Sequence, residues 1–194
     1  MINIKEIIKQ LREDDKKALE IYKDTLDKVS FATSIFINYI LDDVEFVEKI
    51  KPNIENTRYI YSILRVTVEQ VIIYKFLMRE NVNNQSLCED YLGANINLED
   101  IEGQAGDDFE LLKLLIGKRT QLYRNIFKQM AEKFEDVNNE TSLFRLYSMM
   151  ADHVHNAYYE SILSEVNEEC FDSQFVNTII LTLLTQFKSS ILIR

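Results

Sequence analysis

Apolar residues recur at intervals of three and four along most of the chain, which is the period of an amphipathic α-helix. The N-terminal part begins this pattern with Ile4, Ile7, Ile8 and Leu11. We expect residues 3–50 to be helical throughout, with a joint near Glu13–Asp15, until Pro52 ends the helix.

The same spacing continues beyond Pro52. It predicts long helices over residues 55–80, 107–134, 140–165 and 172–193, and a short helix near Ser86–Leu92. Residues 55–80 are apolar on almost every side, which is typical of a helix at the centre of a fold.

The composition supports the same fold class. Among 194 residues there are 4 Gly and 1 Pro, too few for the turns of a many-stranded sheet. The sequence therefore predicts an all-α helical bundle of about five long helices plus a short one. We expect a single domain, 1–194, in which residues 1–52 form a long N-terminal helical arm and residues 53–194 form the bundle core.

Cysteine usage and the N-terminus indicate a cytoplasmic protein. Cys88 and Cys170 lie far apart and belong to no CxxC or Cys/His motif, so we expect reduced thiols. Lysines near the N-terminus alternate with acidic residues, unlike a secretory signal. The most apolar stretch, 175–187, is too short to span a bilayer, so no membrane partner is expected.

Charge is unevenly distributed along this chain of net charge −10. Residues 81–112 contain many acidic residues and no Lys or Arg, and residues 146–187 also lack both cations. Since nucleic-acid binding depends on cationic contacts to phosphate, we expect a protein partner or self-association, such as a homodimer, rather than nucleic acid. The Gly-containing acidic loop at 93–106 is a candidate contact surface.

Two groups of polar residues interrupt apolar helical stretches. Arg65 and Glu69 lie four residues apart in the predicted central helix, so burial there requires partners for both. Tyr147 and His155 lie on one face of a later helix, with Ala151 between them. A buried imidazole at 155 would need a carboxylate such as Glu69. We favour a structural role for His155 and keep a chemical or ligand role as the alternative.

The remaining motifs do not predict a metal or a cofactor. His153 is two positions from His155 and points to another side of the helix, so the pair does not form one metal site. The stretch Gly117–Thr120 lacks the first Gly and the Ser or Thr of a phosphate-binding loop. Cys170 and His155 have no motif that supports nucleophilic catalysis.

Two strings resemble a helical bacterial family known as domain of unknown function 5677. They are the stretches 63–69, ILRVTVE, and 147–155, YSMMADHVH. The resemblance covers about residues 55–165 and implies a shared polar cluster of Arg65, Glu69, Tyr147 and His155. At Ala151 the family more often has Ser, so a hydroxyl beside the histidine is missing. The family provides no established activity to transfer.

A more distant likeness is to HEPN (higher eukaryotes and prokaryotes nucleotide-binding) proteins, helical bundles with an Arg and His motif that cleaves RNA. In this chain more residues separate Arg145 from His153 or His155 than that motif allows. The resemblance implies a HEPN-like fold. Cleavage would require Arg65, Arg119 or Arg124 to approach the histidine in the folded chain.

These observations support three functional hypotheses. We favour a non-enzymatic interaction module in which the Arg65, Glu69, Tyr147 and His155 cluster fixes helix packing. The second is a HEPN-like ribonuclease of a toxin or phage-defence system, with His155 as general acid or base. The third is a helical bundle that binds a small ligand between its helices.

Overall fold

The computed structural model describes residues 3–50, 56–94, 123–152, 154 and 173–192. In these ranges the helices are α1 (Ile4–Thr25), α2 (Lys28–Ile50), α3 (Thr57–Met78), α4 (Asn84–Ala94), α5 (Tyr123–Ala131), α6 (residues 143–152) and α7 (Ser173–Ser189). The described residues contain helices and turns without strands, so the predicted all-α bundle is confirmed.

The N-terminal helical stretch is divided between residues 25 and 28, not near Glu13–Asp15. Leu26 has a left-handed backbone, with φ of 59°, and its N–H bonds to the Tyr22 carbonyl at 2.8 Å. The Asp27 carboxylate then accepts a hydrogen bond from the Ser30 N–H at 2.8 Å. The chain therefore turns here, and α2 folds back against α1.

Polar side chains join α1 to α2 along their outer faces. Arg12 donates hydrogen bonds to Asn38 at 3.1 Å and to Glu45 at 2.9 Å. The Ser34 hydroxyl donates to Asp15 at 2.6 Å. These partly buried bonds fix the two helices in one register, because each joins residues from different helices.

α3 packs against α2, α4, α5 and α7, which gives it the central position predicted from its apolar residues. The Tyr74 ring lies 5.4 Å from the Phe36 ring and 4.9 Å from the Phe187 ring. Its hydroxyl lies 3.0 Å from the Thr33 hydroxyl. One buried tyrosine therefore links α2, α3 and α7.

The N-terminal helices share this core. Leu11 of α1 and Ile37 of α2 belong to the same buried apolar cluster as Leu64 of α3 and Leu184 of α7. At the edge of the core, the buried Asp14 carboxylate accepts a hydrogen bond from the Lys188 ammonium. Both apolar packing and an ion pair therefore connect α1 to α7.

The acidic segment 81–112 is described only as far as residue 94. The predicted short helix is present there as α4, in which Cys88 is a buried free thiol. The rest of the Gly-containing loop at 93–106 lies outside the described residues. In the described ranges, no helix combines the length and the apolar character that crossing a bilayer requires.

Candidate functional site

Three of the four residues singled out from the sequence lie in the described part of the chain, and we call Arg65, Glu69 and Tyr147 the polar cluster. Arg65 and Glu69 occupy adjacent turns of α3, with Arg65 Nε 3.4 Å from Glu69 Oε1. Only 17% of the Glu69 side chain is exposed. The ion pair therefore lies largely inside the bundle.

Burial changes the ionisation of Glu69. Desolvation raises the pKa of its carboxyl from 4.5 to about 7, and the nearby Arg65 charge opposes this shift without cancelling it. A carboxyl with this pKa exchanges its proton near neutral pH. It is the group in the polar cluster that is suited to general acid or base chemistry.

The arginine of the pair is not fully satisfied. Arg65 Nε is buried and has no hydrogen-bond partner among the described residues, although Glu69 lies within ion-pair distance. The attraction between the two side chains is therefore electrostatic, without a well-aligned hydrogen bond at Nε.

Tyr147 reaches the polar cluster from α6. Its ring lies 5.2 Å from the Phe127 ring of α5 and 6.1 Å from the Phe144 ring. Burial raises the pKa of the Tyr147 phenol, as does the Glu69 charge, while Arg65 and Arg124 lower it. These electrostatic effects place the phenol near both members of the α3 ion pair.

A carboxylate positions the start of α6. Glu135 accepts hydrogen bonds from the Leu143 N–H at 3.1 Å and the Phe144 N–H at 3.0 Å. Such bonds satisfy backbone donors that the first turn of a helix leaves free. Burial raises the pKa of Glu135, while these two bonds act in the opposite direction. Glu135 thereby sets where α6 begins and where Tyr147 lies.

The fourth predicted member, His155, lies outside the described residues, as do His153, Arg119 and Cys170. Ala151, on the Tyr147 face of α6, is buried. Arg65 and Glu69 form an ion pair and their charges act on the Tyr147 phenol, while the contact between Glu69 and His155 stays a prediction.

Arg124 is a residue that the sequence did not assign to the polar cluster. Its guanidinium lies 3.9 Å from the Asp152 carboxylate, and its charge also lowers the pKa of Tyr147. Lys128, one turn further along α5, pairs instead with Glu132 at 3.7 Å. Only the packing of α5 beside α6 explains why Arg124 pairs with Asp152 of α6 while Lys128 pairs with a residue near its own helix.

Beside the polar cluster lies a cavity of about 610 Å³, which we call the α6–α7 cavity. Its walls come from α6, α7, the turn before α6 and Arg124 of α5, and they include neither Arg65 nor Glu69 nor Tyr147. The largely buried ion pair and the cavity are therefore separate features. No sequence motif marks the cavity, because its two helical walls lie far apart along the chain.

Among the described residues, no group of three His, Cys, Asp or Glu side chains is placed to hold a metal ion. The described residues form an all-α helical bundle with a largely buried polar cluster and a separate cavity beside it.

No family model, curated protein or solved structure matches the chain significantly. The resemblances to domain of unknown function 5677 and to HEPN proteins therefore stay predictions from the residues quoted above.

Proposed function

We propose that this protein is a non-enzymatic interaction module that forms a homodimer through the outer face of α2 and α3. The observation that carries this proposal is a set of four exposed apolar side chains, which we call the α2–α3 apolar face. They are Tyr39, Phe46, Tyr59 and Val66, whose exposed fractions are 57%, 54%, 68% and 40% in that order.

The four side chains form two pairs, one on α2 and one on α3, which we assign to one surface. Tyr39 and Phe46 are seven residues apart and so share a side of α2, and Tyr59 and Val66 share a side of α3 in the same way. Asp43 lies between the first two along the helix and accepts a hydrogen bond from Thr67, next to Val66, at 3.1 Å. The Asp43–Thr67 bond joins the two helices that carry the pairs, and we infer that the pairs flank the line where α2 meets α3.

A second copy of the chain fits this surface by charge as well as by apolar character. Exposed Asp42, whose carboxylate lies 4.0 Å from the Arg12 guanidinium of α1, borders the α2 side, and exposed Arg58 borders the α3 side. In a twofold dimer each copy presents the same surface, so α2 of one copy can lie against α3 of the other. That arrangement brings Asp42 towards Arg58 of the second copy and covers the aromatic side chains.

The polar cluster has a structural role in this proposal. Arg65 and Glu69 pair on α3, and their charges act on the phenol of Tyr147 on α6. Polar groups that are satisfied only in one arrangement can specify the register of packed helices. The polar cluster thereby holds α3 in the orientation that presents Tyr59 and Val66.

The dimer is tested by sedimentation velocity across a concentration series of the full chain. We expect wild type to shift from monomer to dimer, and Phe46→Glu to remain monomeric, because a carboxylate would be desolvated at the interface. Leu26→Glu is the matched control, since Leu26 is exposed but lies outside the α2–α3 apolar face. A monomeric wild type, or equal disruption by both variants, would contradict the proposal.

The nuclease alternative is tested with the same preparations. We expect no cleavage of a mixed RNA substrate by wild type, Glu69→Gln or His155→Ala. Cleavage by wild type that both variants lose would overturn the non-enzymatic assignment, and far-ultraviolet circular dichroism with wild-type helical content would show that the variants remain folded.

A further inference from the structure

The α6–α7 cavity has a volume within the range of small-molecule sites, which is about 300–1,000 Å³. Arg145, Ser148 and Asp152 line it at spacings of three and four, which puts them on one face of α6. Phe175, Ile179 and Thr182 line it at similar spacings on α7. Two helix faces therefore oppose each other across the cavity.

The charged side chains that line the cavity differ in whether a neighbouring side chain already forms an ion pair with them. Arg124 already lies 3.9 Å from Asp152. Arg145 is exposed, and no described carboxylate forms an ion pair with its guanidinium. Glu140 also lines the cavity without such a pair. Arg145 is thus the cationic group in the wall that is available to an anion.

The walls offer apolar contacts and a buried hydroxyl beside that arginine. Phe175 and Ile179 belong to or pack against the apolar core and also face the cavity. Ser148 is 5% exposed, and its Oγ has no hydrogen-bond partner among the described residues. Buried polar groups are rarely left without a partner, and a bound molecule is one way to supply it.

We propose that the α6–α7 cavity binds a small organic anion with an apolar body. Its anionic group pairs with Arg145, near Ser148, while its body packs against Phe175 and Ile179. The guanidinium suits a carboxylate, sulfonate or phosphate because its planar donors match their oxygens. This site is independent of the proposed dimer, since it lies on α6 and α7 and not on α2 or α3.

The test uses 1-anilinonaphthalene-8-sulfonate, which combines an aromatic body with one anionic group. Fluorescence titration of the full chain should give saturable binding that raises the unfolding temperature. We expect Arg145→Gln to weaken binding about tenfold, because a charge-assisted hydrogen bond is lost. Lys16→Gln, which removes an exposed cation of α1 that belongs to neither proposed surface, should leave binding unchanged.

Three further comparisons locate the probe. N-phenyl-1-naphthylamine has the same aromatic body without the sulfonate, so Arg145→Gln should not alter its binding. Thr178→Trp fills the cavity with an indole and should abolish sulfonate binding while far-ultraviolet circular dichroism stays unchanged. Phe46→Glu should bind the probe as wild type does.

Several results would overturn the proposal. They include equal effects of Arg145→Gln and Lys16→Gln, undiminished binding by folded Thr178→Trp, and a probe that lowers the unfolding temperature. Loss of binding in Phe46→Glu alone would place the probe on the α2–α3 apolar face, which also contradicts the proposed site.

Discussion

At the scale of single residues, Glu69 shows how one carboxyl depends on its surroundings. The sequence places it four residues after Arg65 in an apolar helix, which predicts a partnered polar residue. Its partner is indeed Arg65, at 3.4 Å. The pKa of about 7 could not be predicted, because it depends on how completely neighbouring helices exclude water from the carboxyl.

This shift predicts how stability varies with pH. The folded pKa of about 7 exceeds the ordinary 4.5, so the folded state holds the Glu69 proton more tightly than the unfolded chain. The resulting stabilisation is complete below pH 4.5 and is lost as pH rises through 7. We compare Glu69→Gln with wild type by the difference between their free energies of unfolding. As pH rises across this range, the difference should change by on the order of 3 kcal/mol in favour of Glu69→Gln.

Urea denaturation of both proteins between about pH 4 and about pH 8 measures this difference. Glu132→Gln is the control, since it removes an exposed carboxylate, a partner of Lys128, and should change stability little. If the difference for Glu69→Gln were flat across this pH range, the carboxyl would ionise at its ordinary pKa and the polar cluster would be more hydrated than described.

At the scale of helices, the chain turns between α1 and α2 at a place where the sequence pattern predicted continuous helix. Apolar spacing continues through Leu26 and Asp27, so the sequence favoured unbroken helix there. A signal was nevertheless present, because Asp27 is followed three residues later by Ser30, whose N–H and hydroxyl it binds. From the sequence alone, an Asp that caps the start of a helix looks the same as an Asp on the exposed side of a continuous helix.

Leu26 makes this turn at a steric cost that a substitution can remove. Its φ of 59° is unfavourable for a residue with a Cβ, and its exposed side chain contributes little packing. We expect Leu26→Gly to raise the free energy of unfolding by about 1 kcal/mol and the melting temperature by about 2–4 °C.

Thermal unfolding with Leu26→Ala alongside separates backbone relief from loss of the side chain. Alanine keeps the Cβ, so it should give no comparable gain. Equal gains from both variants would mean that the exposed leucyl side chain, and not the backbone conformation, destabilises wild type.

At the scale of the whole molecule, a shared core unites helices that the sequence assigned to an arm and a bundle. Buried residues of α1 and α2 belong to the same apolar cluster as those of α3 and α7. Asp14 and Lys188 add an ion pair between α1 and α7. Unfolding of the N-terminal helices alone would therefore expose apolar surface on the remaining helices.

We therefore expect one cooperative unfolding transition. Ile37→Ala in α2 and Leu184→Ala in α7 both truncate fully buried side chains, and each should destabilise the same transition by about 2–5 kcal/mol. Urea denaturation followed by far-ultraviolet circular dichroism and tyrosine fluorescence makes the comparison, since the chain has 10 Tyr and no Trp.

Leu26→Ala again serves as an exposed control, with a much smaller expected change. Two separate transitions for Ile37→Ala, with part of the helical signal lost first, would show that α1 and α2 unfold as an independent arm.

The sequence by itself determined the all-α class, the central place of α3 and the pairing of Arg65 with Glu69. Each of these follows from local periodicity or from neighbours along one helix, which a linear pattern records. The tertiary structure decided the position of the α1–α2 turn, the near-neutral pKa of Glu69, the part played by Arg124 and the α6–α7 cavity. These depend on which distant segments exclude water from one another, and burial of that kind arises only when the helices pack together.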